Sequence, residues 1–152
     1  MRWNSTEQLF TWAMREDPHA TQLCMDVFKW SNTYDHLADL ESPDFERDLH
    51  DAMWTLAVLV PQNEFYQRNC AELSVSMANA VTTWRTSIVL QRTGQLHDAR
   101  LAYVMRWIPL EFFLHCARLV AGPEWAQEIA PEVWRAMTQD HSFENFLEEC
   151  GA

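Results

Sequence analysis

The chain has 152 residues, of which 48% are hydrophobic, so it is long enough to bury a sizeable core and too apolar for general disorder. A formal net charge of −11, with Lys29 the only lysine and the arginines scattered, excludes the basic surface that direct nucleic-acid binding requires. Three Gly and six Pro are too few turn-formers for an all-β fold.

Start and stop signals predict one all-α domain over residues 1–152. Asn4 or Ser5 caps a short first helix with Leu9, Phe10 and Ala13 on its inner face. Asp17-Pro18 places a cap before a proline at the first helical position and opens a long second helix to about Glu41. Ser42-Pro43 repeats that device and opens a third helix to about Val60, with Phe45, Leu49, Met53 and Leu56 facing inward. Pro61, Gln62 and Asn63 form a turn, and Asn63 is placed to cap a fourth helical region over 64–93. Cys70 marks a candidate break in that region, and Gly94 ends it. A fifth helix over about 95–121 is kinked at Pro109 and ends at Gly122-Pro123, and short helices start at Pro123, Pro131 and Ser142. The expected architecture is an antiparallel helical bundle of about four long helices with short C-terminal capping helices.

Four cysteines stand apart without a CxxC pair. Cys24, Cys70 and Cys116 read as small core residues in a reducing compartment. Met1 leads directly into a capped helix without a secretory signal, and the longest apolar stretch, 107–120, is broken by Pro109, Glu111, His115 and Arg118. A cytoplasmic protein without a membrane span is expected. Trp30, Trp54, Trp84 and Trp107 have the spacing of core residues, and Trp125 and Trp134 suit packing of the C-terminal helices.

Polar residues inside apolar patterns are the candidate site. Asp35 and Asp39 lie about 40° apart on the second helix, beside Cys24, Phe28 and Ala38. Two like charges at that spacing persist where a cation sits between them, or where both border solvent with Arg partners. Glu111 and His115 repeat the spacing inside Ile108–Cys116, either as metal ligands or as a self-satisfying pair. Glu72, Ser76, Asn79, Thr83 and Thr86 form a polar strip on the fourth helix. Turned inward, Glu72 and Asn79, together with Arg100, would hold a bound cofactor or ligand; turned outward, the strip is simply solvated.

Asp35-xxx-Asp39 on a long central helix resembles the first aspartate motif of squalene/phytoene-type isoprenoid synthases, over about a dozen residues. That resemblance implies Mg²⁺ ions gripping a diphosphate, although a second aspartate-rich motif is absent from the chain. Two functions follow. In one, Asp35, Asp39, Glu111 and His115 bind a divalent cation, Mg²⁺ or Mn²⁺, that orients a phosphorylated small molecule. In the other, the chain is an acidic, non-enzymatic interaction module or nucleic-acid-mimic-like inhibitor of a basic protein partner, its patch built from residues such as Asp44, Asp48, Asp51, Glu144 and Glu148. Small size and tryptophan richness resemble the style of phage-encoded proteins.

Overall fold

In a computed structural model, which describes residues 3–151, Ser5 caps the first helix, α1 (Thr6–Ala13), its hydroxyl accepting from the Gln8 amide at 3.2 Å. Gln8 reciprocates: its side-chain Oε1 accepts from the Asn4 N–H at 2.9 Å, so the approach to the helix is fixed from both sides. Asp17 caps α2 (Pro18–Ala38) through the Ala20 amide, and Asp44 caps α3 (Phe45–Trp54) through that of Arg47. Ser42, the expected cap of that third helix, instead donates its hydroxyl to Asp48 at 2.7 Å.

After α3 the backbone widens into a π-helical segment, Thr55–Leu59, before a short turn, α4 (Val60–Gln62). Pro61 accounts for this: in the α register its ring would collide with the carbonyl four residues back, and it has no N–H to offer. The Val60 amide reaches back to Thr55 instead. Asn63 caps α5 (Glu64–Gln91), accepting from the Tyr66 amide at 3.0 Å while its own amide donates to the His19 carbonyl at 2.9 Å. Asn69 has non-helical angles (φ −125°, ψ 18°) and kinks α5, and its side chain donates to the Phe65 carbonyl. The break expected near Cys70 falls one residue earlier. Gly94 is left-handed (φ 69°), as a helix-ending glycine should be.

The expected fifth helix is two helices, α6 (Leu96–Met105) and α7 (Leu110–Ala121). Pro109 does more than kink: it disfavours helical angles at Ile108 and then serves as the start of α7. The last two helices are α8 (Pro123–Thr138) and α9 (Phe143–Cys150). Pro131 lies exposed inside α8 rather than starting a new helix. The chain is all-α, with no strand among the described residues, and no helix there is long and apolar enough to cross a membrane.

The chain divides into two compact units, Met1–Cys70 and Ala71–Ala152. In the first, α1 and α2 pack through Leu9, Phe10, Ala13, Ala20, Leu23 and Cys24, all 2% exposed or less. Each large side chain so buried contributes about 1.5–3 kcal/mol. On α3, Ala52 is buried, and the π segment packs on α2 with Thr55 buried. In the second unit, α7 packs on α8, burying Phe112, Phe113, Cys116 and Ala117 from one helix and Ala126, Ile129 and Val133 from the other. There α6 packs on α9, with Tyr103 against Phe143 and Phe146 at ring separations of 5.0 and 5.4 Å. All four cysteines are free thiols. Cys24 and Cys116 are buried as expected, whereas Cys70, beside the kink, is exposed.

Candidate functional site

Asp35 is half-buried near the end of α2, and Asp39 is exposed as that helix's terminal cap, its amide donating to the Asp35 carbonyl at 3.0 Å. Glu111 is exposed in the first turn of α7, where the helix dipole favours a carboxylate. His115, one turn on, is half-buried, and its Nε2 lies 3.0 Å from Oε2 of Glu72 on α5. The partner that the structure gives His115 is therefore Glu72, a residue of the polar strip. The side chain of Glu72 is 64% exposed, so the pair stands at the surface. Asn79 and Arg100 are exposed, and Thr86 of the strip is exposed with its hydroxyl donating to the Thr82 carbonyl. Asp35 and Asp39 belong to the first unit, and Glu72, Asn79, Arg100, Glu111 and His115 to the second. Among the described residues no group of three His, Cys, Asp or Glu side chains is gathered as a metal ion would need.

The larger departure from expectation lies on α3 and the π segment that follows it. Phe45, Leu49, Met53 and Leu56, the residues expected to face the core, are 53%, 45%, 60% and 37% exposed. Trp54 is also out in solvent, stacked on His50 at 6.2 Å. The cause is rotation of the helix about its axis. At 100° per residue, Phe45, Leu49 and Met53 form one row, while Ala52 and then Thr55 lie to one side of it. The helix turns that small-residue edge inward, because small side chains let two backbones approach closely, and the large ones are left outside.

The same helix carries four carboxylates: at 100° per residue Glu46 lies next to Met53 at one edge of the row, Asp48 lies beyond Ala52 at the other, and Asp44 and Asp51 fall toward the far side. Asp44 and Glu46 are exposed, and Asp48 and Asp51 are half-buried. Asp48 is partly compensated by Ser42 and by Arg47 at 3.6 Å. Arg47 is the one arginine or lysine set against these four acids over residues 44–54. On α9, Glu144 accepts from the Ser142 hydroxyl at 2.9 Å, and its own backbone N–H together with this bond holds its carboxyl below the usual carboxylate range.

No family model, no curated protein and no solved structure matches this chain.

Proposed function

We propose that the protein is an acidic, non-enzymatic interaction module whose α3 face receives a basic amphipathic segment of another protein. The supporting observation is the exposed row Phe45, Leu49 and Met53 on a helix that carries Asp44, Glu46, Asp48 and Asp51, with Glu46 at the row's edge. A contiguous apolar surface rimmed by charge is the usual form of a docking site, and the aromatic and methionine side chains are the types enriched in such patches. The negative charge of the helix selects the occupant. A basic segment gains attraction at each carboxylate, whereas a second copy of this chain would set carboxylate against carboxylate across a symmetric contact.

A cationic helical peptide with leucines at i, i+4 and i+8 and lysines elsewhere tests the reading. It should bind saturably, and raising the salt concentration should weaken it, because screening acts on the carboxylates of α3. Met53→Asp should weaken binding at least about tenfold with no loss of stability, because Met53 is already in water. Equal binding of the matching glutamate peptide, or unchanged binding by the Met53→Asp variant, would overturn the proposal.

A second reading keeps a divalent cation, Mn²⁺ or Mg²⁺, with a phosphorylated small molecule as its cargo. The observation in its favour is the 3.0 Å approach of His115 to Glu72, two groups that can share one ion. Mn²⁺ should then raise the thermal midpoint in a concentration-dependent way, and His115→Ala should remove the response. A midpoint indifferent to Mn²⁺ at millimolar concentration would remove this reading.

A further inference from the structure

Helix α2 ends in a left-handed turn that has a leucine at its turning point. The Glu41 N–H donates to the His36 carbonyl at 2.9 Å, and the Leu40 N–H donates to that of Leu37 at 3.3 Å. This pair of bonds closes a helix around one left-handed residue, a place that glycine usually fills because it has no Cβ to clash. Gly94 and Gly151 take such angles after α5 and α9, with φ of 69° and 66°. Leu40 takes the same angle, φ 58°, with a full side chain.

That side chain adds almost nothing to the core. It is 83% exposed, more than any other large apolar side chain among the described residues. The apolar contact that often accompanies such a turn joins the residue after the turning point to the third-last residue of the helix. Here these are Glu41 and His36, both polar and exposed. Arg15 and Glu16 are also left-handed, but their polar side chains suit the water they stand in. Leu40 thus combines a backbone conformation that L-residues resist with apolar surface left in solvent. An outlier of this kind, with no return inside the fold, is a pointer to function.

Its position says what that function is. The Ser42 hydroxyl bonds to Asp48, which draws the connection after Leu40 onto the first turns of α3. Five residues on, Phe45 begins the exposed row that continues through Leu49 and Met53, so Leu40 lies within about 17 Å of that end, roughly three helical turns. We infer that Leu40 is a further anchor of the α3 docking face, meeting the apolar side of the basic amphipathic segment beyond Phe45. This inference rests on the reading of α3 as that face. It specifies an occupant with a fourth apolar position, one turn past the three that match the row.

A lysine-rich helical peptide with leucines at i, i+4, i+8 and i+12 is the probe, compared with peptides of equal length in which alanine replaces the first or the last leucine. The four-leucine peptide should bind the wild-type chain about tenfold more tightly than either. In Leu40→Gly that advantage should fall to about twofold or less, whereas Leu40→Met, which keeps the apolar bulk, should preserve it. Leu40→Gly should also hold the thermal midpoint or raise it by up to about 3 °C, since glycine accepts the left-handed angle and the lost side chain stood in water. Equal binding of the three peptides to the wild-type chain, an advantage kept in Leu40→Gly, or a midpoint lowered by that substitution would each overturn the inference while leaving the α3 face in place. Failure of every leucine peptide to bind the wild-type chain would instead remove the α3 reading, and this inference with it.

Discussion

Helices α3 and α7 are both strongly amphipathic, yet they use their apolar rows in opposite ways. On α7, Phe112, Phe113 and Cys116 are 5% exposed or less, because α8 meets them with Ala126, Ile129 and Val133. On α3, Phe45, Leu49 and Met53 stay in water, while Ala52 takes the position against the rest of the unit. The difference lies in what flanks each row. Between Leu110 and Ala121 the charged residues are Glu111 and Arg118, both exposed. On α3 the edge beside the row is the one already engaged: Ala52 and Thr55 are buried there, and Asp48, its side chain 15% exposed, is held on that side by Ser42 and Arg47. Amphipathicity thus says that a helix can have a partner, while the edge that the rest of the unit engages decides whether the same chain supplies it.

The comparison breaks most easily on the buried side. Phe112→Ala should cost about 3–5 kcal/mol, through lost transfer energy plus the cavity left against α8, read as a lowered urea midpoint. Phe45→Ala removes the same side chain from a surface row and should change stability by no more than about 0.5 kcal/mol. Similar costs for the two variants would mean that α3 is buried in solution, and the docking face would no longer be available.

The helix limits were mostly legible because caps are local chemistry. Ser5, Asp17, Asn63 and Ser142 each act within three residues, and each was marked by its type and by what followed it. Ser42 misled because Pro43 promised a first helical position, while Asp44, two residues on, offered the stronger acceptor. The π segment and the split at Pro109 were not legible: a proline states that a hydrogen bond is lost, and the surrounding packing decides whether the helix widens, breaks or carries on, as α8 does through Pro131. The site was harder still. Spacing along α7 put Glu111 with His115, but a histidine reaches other helices as readily as its own, and Glu72 lies 43 residues away in sequence. Rotation of α3 by a fraction of a turn was equally invisible, since Ala52 and the large apolar residues fall on adjoining arcs.

Asn63 sharpens the comparison at intermediate size. It is buried and uses both ends of its amide, accepting from Tyr66 and donating to the His19 carbonyl. Asn63→Ala leaves a helix amide and a carbonyl without these partners and should cost about 1–3 kcal/mol. His115→Ala belongs at the lower end. Its partner Glu72 is largely in water, so the loss should be about 0.2–1 kcal/mol, and smaller at high salt. A cost above that of Asn63→Ala would show that the His115–Glu72 pair is far better shielded than its exposure implies.

The smallest effect concerns the thiols, which report the packing of each region without any change to the fold. Burial, reinforced by the Glu149 carboxylate and opposed by Arg106, holds the Cys150 thiol above the ordinary thiol range. The neutral thiol is thus favoured in the folded chain relative to the unfolded one. Its contribution to stability is complete at pH values below the ordinary thiol range, and it declines as pH rises through that range toward the raised folded value. Because the thiolate is the reacting form, iodoacetamide at mildly alkaline pH should modify exposed Cys70 first and Cys150 more slowly, while Cys24 and Cys116 should react only on unfolding. Mass spectrometry of timed samples gives the order directly. Modification of Cys150 ahead of Cys70 would place the end of α9 in water and remove the cause of its shift, whereas early loss of Cys116 would strike at the α7–α8 packing on which the contrast with α3 rests.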